Sequence, residues 1–86
     1  MGSYSLVWKR SAERELRKLP RETVRRLVEA AERLTDDPFP PGARKLHGAE
    51  HTWRIRVGDY RLVYSVETGL LVIEVVRVGH RKEVYR

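Results

Sequence analysis

No cysteine occurs in this chain. Disulfide cross-links and thiolate metal sites are therefore excluded, and a reducing compartment is permitted. No apolar run approaches the length of a membrane span, and no signal-peptide core precedes the first charged residues, so a cytoplasmic protein without a membrane partner is expected. Internal repeats are absent. His47 and His51 have no partner at metal-ligand spacing, so neither a metal nor a cofactor is called for.

What is present is charge of one sign. Eighteen Lys and Arg stand against twelve Asp and Glu among 86 residues, for a formal net charge of +6 and a pI near 10.2. Such a balance favours nucleic acid, an anionic surface or an acidic protein partner, and says nothing about fold. The excess is uneven: residues 1–43 carry nine basic and seven acidic side chains, and residues 44–86 carry nine and five. The second half is the more anion-facing. Hydrophobic residues at 41% imply a globular chain, and the length suits one domain, here residues 1–86, with one modest core.

Thr52 to Ser65 organises the rest. It reads as two alternating runs joined by Gly58-Asp59, and Gly supplies the positive φ that a II′ hairpin turn needs at its first central position. With the turn there, Val57 lies opposite Tyr60, Arg56 opposite Arg61, Ile55 opposite Leu62, Arg54 opposite Val63 and Trp53 opposite Tyr64. Side chains alternate faces along a strand. Trp53, Ile55, Val57, Tyr60, Leu62 and Tyr64 then share a core face, and Arg54, Arg56 and Arg61 share the other. Like charges directly opposed cost up to roughly 1 kcal/mol. Three guanidinium groups on one side of a rigid hairpin suggest a polyanion site; a solvated face that happens to be arginine-rich is the equally weighted alternative.

Tyr4 to Trp8 alternates like a short first strand. Ser11 offers an N-cap to a first helix carrying Ala12, Leu16 and Leu19, which Pro20 ends. A second helix is expected from about Arg21 to Leu34, with Val24, Leu27, Val28, Ala31 and Leu34 as its apolar face. Pro38, Pro40, Pro41 and Gly42 make a stiff connection, and Arg44 to Gly48 are expected to lie outside the sheet. Leu70 to Val78 reads as a central strand. A four-residue loop before it puts Ile73 and Val75 in the core and Glu74 on the arginine face near Arg61; a three-residue loop buries a carboxylate, which is costly. Residues 79–86 close the chain as a tail or short helix. The order β-α-α-β-β-β gives an α+β fold: a four-stranded, antiparallel-dominated sheet with an N-terminal helical hairpin on one face and a basic open face.

These pieces together resemble the RelE/ParE superfamily of bacterial toxin–antitoxin toxins, the RelE branch in particular. The likeness is carried by KLHG at Lys45 to Gly48, WRIRVGDYRLVYS at Trp53 to Ser65 and VRVGHRKEVYR at Val76 to Arg86, and extends over essentially the whole chain. The resemblance implies a ribosome-dependent mRNA endoribonuclease that cleaves by attack of a ribose 2′-hydroxyl on the adjacent phosphate. It also implies a cognate antitoxin, the ribosome and mRNA as partners.

Position by position, the resemblance implies a catalytic set. Arg54 and Arg56 stand where well-known relatives have lysines, Arg61 and Arg81 match the family's arginines, and Tyr85 matches its C-terminal tyrosine across a shorter tail. Lys45 would hold the RNA backbone, and Arg44 and Lys82 are further RNA-binding candidates. A guanidinium with a pKa above about 12 is a poor general base, so Arg54 and Arg56 are cast as phosphate clamps. His80, which titrates near neutrality beside Arg81, is the first choice for moving protons. Glu74 is expected to hold Arg61 in place. Two other readings stay open: a ParE-like DNA gyrase inhibitor without nuclease activity, and a non-catalytic RNA-binding module.

Overall fold

The computed structural model describes residues 3–84. β1 (Ser5–Trp8) turns Leu6 and Trp8 inward and leaves Val7 45% exposed. α1 (Arg10–Arg17) follows at once. Its N-cap is Lys9, without a side-chain cap, and Ser11 lies inside the helix. The reason is that Lys9 serves both elements: its N–H donates to Val75 O at 2.9 Å, ending the strand ladder, and its carbonyl accepts from Glu13 N–H at 3.0 Å, opening the helix. No residues remain between strand and helix for a separate capping turn.

α2 (Arg21–Leu34) has the bounds its periodicity gives, with Pro20 as N-cap accepting from Val24 N–H at 2.9 Å. A proline there loses nothing, since it has no N–H to satisfy. The buried seam is Leu27, Ala30, Ala31 and Leu34, while Val24 and Val28 are half-buried, so the face is rotated slightly from the expected one.

The other elements are β2 (Arg44–Lys45), β3 (Thr52–Val57), β4 (Tyr60–Glu67), β5 (Val72–His80) and α3 (Arg81–Val84). They form a five-stranded sheet in the order β1-β5-β4-β3-β2, with β1 parallel to β5 and the other pairs antiparallel. The α+β class and the antiparallel dominance agree with expectation. The count of four strands does not: Arg44 and Lys45, placed outside the sheet on sequence grounds, pair with Arg54 and Trp53. Two residues are too short to show an alternation. Their pairing is set by the return of the chain, where Gly48 and His51 take positive φ (78° and 64°) and Leu46 N–H reaches Thr52 O at 2.9 Å.

The β3–β4 hairpin has the expected register, rung for rung, around a Gly58-Asp59 turn. Gly58 has φ of 62° and Asp59 does not take positive φ, as a II′ turn requires. The β4–β5 loop spans the four residues 68–71, and Ile73 and Val75 are fully buried. Glu74 does share the arginine face, but opposite Ser65; Arg61 pairs with Gly79, four rungs along the strand. At about 3.3 Å per residue that is too far for the expected Glu74–Arg61 contact.

A bulge reshapes the second half of β5. Val63 pairs with Arg77 and Tyr64 with Val75, so Val76 is an extra residue. One inserted residue inverts the alternation that follows. Val78 therefore joins the core at 2% exposure, and Arg77 emerges on the open face. β1 has ended by this point, and the Val78 N–H is satisfied by Glu15 Oε1 of α1 at 3.0 Å. Glu15 also lies 3.6 Å from Arg77 Nε, so the first helix seals an edge that the short first strand cannot cover.

Tyr64 is fully buried at the centre of the core, and its hydroxyl donates to Pro38 O at 2.7 Å. Phe39 packs on Trp53 with ring centroids 4.8 Å apart. These two contacts fix the proline-rich connection against the sheet.

Candidate nucleic-acid interface

Register assembles the open face. Arg54 and Arg56 alternate outward from β3, Arg61 stands across from Arg56, and Arg44 stands across from Arg54. Four guanidinium-bearing residues from three adjacent strands thus share one face. Together with Gly42 and Ile55 they line a pocket of about 290 Å³. No carboxylate lines it. Two directly opposed like-charge rungs, Arg44–Arg54 and Arg56–Arg61, each disfavour the folded chain by up to roughly 1 kcal/mol, and an anion in the pocket relieves both. Arg56 is aimed by a hydrogen bond from its Nε to Gly58 O at 2.9 Å. Holding a planar fork in place lowers the cost of ordering it on a phosphate. Val63, between the Arg54 and Arg77 rungs, is only 6% exposed, so the floor of this face is apolar.

The backbone of Arg81 is tied to the same corner. Its N–H donates to Asp59 O at 3.0 Å, so α3 starts beside the hairpin turn. Arg81 and Lys82 are both exposed there. His80 lies elsewhere. It pairs with Tyr60, its ring sits edge-on to the Tyr60 ring at 5.7 Å, and its Nδ1 accepts from Lys82 N–H at 3.3 Å. Tyr60 packs against the core cluster, so His80 is on the helix side of the sheet. Strict alternation from Glu74 would have put it among the arginines; the bulge at Val76 turns it away. Lys45 also faces away, since it pairs with Trp53. Tyr85 lies outside the described residues.

Of the expected site, Arg54, Arg56 and Arg61 are brought together, and Arg44 joins them as a strand residue rather than a loop residue. Gly42 and Ile55 are wall residues that sequence reasoning missed. Gly42, at φ of 93°, follows two prolines, a turn signal that says nothing of where the turn docks. Among the described residues no group of three or more His, Asp or Glu is arranged to hold a metal ion.

A family model described as "ParE toxin of type II toxin-antitoxin system, parDE" matches residues 6–85. The chain belongs to the RelE/ParE toxin family. It is similar to Toxin RelG of Mycobacterium tuberculosis, at 31% identity over 84 residues, covering 96% of this chain and 97% of that one. Among solved structures it resembles the RelBE2 toxin–antitoxin complex of M. tuberculosis, with a TM-score of 0.79, 31% identity and coverage of 91% and 98%. It likewise resembles the isolated Escherichia coli RelE toxin, with a TM-score of 0.80, 31% identity and coverage of 96% and 92%. The chain is thus a toxin of the type II toxin–antitoxin class, and the RelE-like fold that its sequence resembles is the fold it has.

Proposed function

We propose that this toxin is a ribosome-dependent mRNA endoribonuclease, held in check by a cognate antitoxin. The observation that carries the reading is the pocket lined by Arg44, Arg54, Arg56 and Arg61 on a rigid, uncovered sheet face. In the reaction, the ribose 2′-oxygen attacks the adjacent phosphorus, the bond to the 5′-oxygen breaks, and the products are a cyclic phosphate and a free 5′-hydroxyl. Negative charge builds on the phosphoryl oxygens in the transition state. Arg54, Arg56 and Arg61 supply fixed positive charge at that place, and Arg81, anchored at the hairpin corner, closes the set. Arg44 and Lys82 hold flanking backbone phosphates. Proton movement falls to groups other than these guanidiniums, because they stay charged at any working pH. His80 serves as a positioning residue that caps the first turn of α3, and Tyr85 orients or protonates the leaving group.

The RelB antitoxins in the complexes of M. tuberculosis and Pyrococcus horikoshii relatives support the antitoxin half of the reading. The test is translation in vitro with primer-extension mapping of cut sites. Wild-type protein should cut mRNA on translating ribosomes and cut naked RNA poorly; Arg61→Ala and Arg81→Ala should each lose most of that cleavage. Full toxicity of both variants would refute the site. The matching family description favours one other reading, inhibition of DNA gyrase; expression would then cause DNA damage with mRNA left intact.

A further inference from the structure

A second hollow lies on the other side of the sheet edge. It has a volume of about 670 Å³ and opens between α2, the proline-rich connection and β3. Its floor is apolar, made by Ala30, Leu34, Ile55 and Val57. Its rim mixes signs: Arg26 and Arg33 stand with Glu29 and Asp37. No aromatic ring lines it, so it offers no surface on which a base can stack, and its carboxylates repel phosphate. By composition it is a protein-binding groove rather than a path for RNA.

The groove and the arginine pocket share Gly42, Ile55 and Arg56. They meet where the sheet edge is bare. β2 covers β3 only at Trp53 and Arg54; between Arg54 and the Gly58 turn, β3 has no strand partner on that side. An uncovered stretch of edge is a place where an extended chain can hydrogen-bond while its side chains reach both faces. Charge changes along the path, from mixed in the groove to purely basic in the pocket.

The geometry points to one occupant for both hollows: an extended segment of the antitoxin that seats apolar side chains in the α2–β3 groove, crosses the β3 edge at Arg56, and places carboxylates among Arg44, Arg54, Arg56 and Arg61. Neutralisation is then direct competition, with the partner's carboxylates standing where RNA phosphates would stand. This rests on the toxin–antitoxin reading above and adds to it where the partner binds and by what chemistry. A peptide of a RelB antitoxin is bound by the E. coli RelE relative, so a segment suffices there.

The chain has no cysteine, so single introduced thiols report on single positions. Glu29→Cys marks the groove rim and Arg44→Cys marks the pocket. Each variant is co-expressed with the antitoxin encoded in the neighbouring frame, the complex is isolated, and maleimide labelling rates are compared with those of the free chain. Labelling at both positions should slow by at least tenfold in the complex. A short single-stranded RNA added to the free chain should protect Arg44→Cys and leave Glu29→Cys at its free rate. Three results overturn the inference alone: Glu29→Cys labelling at the free rate in the complex, protection of Arg44→Cys alone by the partner, or protection of Glu29→Cys by RNA, which would make the groove a nucleic-acid track. Failure to form any complex overturns the toxin–antitoxin reading itself, and this inference with it.

Discussion

The two faces of the β3–β4 hairpin are built from the same fourteen-residue stretch and obey opposite rules. On the helix side, Leu62 and Tyr64 are fully buried, and Trp53, Ile55, Val57 and Tyr60 pack around them. On the open side, Arg56 opposes Arg61 and Arg44 opposes Arg54. The first face lowers the free energy of the folded chain; the second raises it. A face that folds at a loss while its reverse folds at a gain marks the side on which binding acts, because only a ligand recovers the cost of aligned like charges.

The contrast can be broken from either side. The largest effect should come from the helix side: Leu62→Ala should lower unfolding free energy by about 2–5 kcal/mol in urea titration, since the removed methyl groups leave a cavity. From the open side, Arg61→Ala should slow cleavage on ribosomes by about a hundredfold, read by primer extension, while its midpoint of unfolding holds or rises. Loss of both stability and activity in Arg61→Ala would mean that the two faces are not separable.

The buried Tyr64 hydroxyl gives a pH handle on the apolar face. Burial, and secondarily the Asp37 carboxylate, push its pKa up to about 12. The unfolded chain ionises this group near 10. A raised folded pKa means that the contribution is fully present below about pH 10 and is lost as pH rises toward 12, by about 2 kcal/mol in all. Tyr64→Phe should flatten that alkaline decline. The smallest effect is expected from Arg44→Ala: the slope of log binding constant against log salt for a short RNA should fall by about 1, with folding stability unchanged or slightly improved.

Much of this was legible in the residues. The hairpin register follows from one dipeptide, Gly58-Asp59, and one alternation, so Arg54, Arg56 and Arg61 could be placed before any coordinates. The bounds of α2 follow from its apolar spacing and Pro20. The four-residue loop before β5 follows from the cost of burying Glu74. What escaped has physical causes too. The two-residue β2 carries no pattern, so Arg44 was read as a loop cation. Lys9 ends one element and begins the next, which displaced the expected Ser11 cap. The bulge at Val76 sits inside the run VEVVRV-like in character, where every residue suits a strand and nothing betrays an extra one. That single irregularity moved His80 off the arginine face.

The spare residue on β5 is therefore a phase switch for everything downstream of it. Deleting Val76 would return the strand to even step, driving the Arg77 side chain into the apolar layer, lifting Val78 into solvent, and swinging the imidazole of His80 round to join the guanidiniums. An insertion or deletion here would rewrite the chemistry of a surface it does not touch.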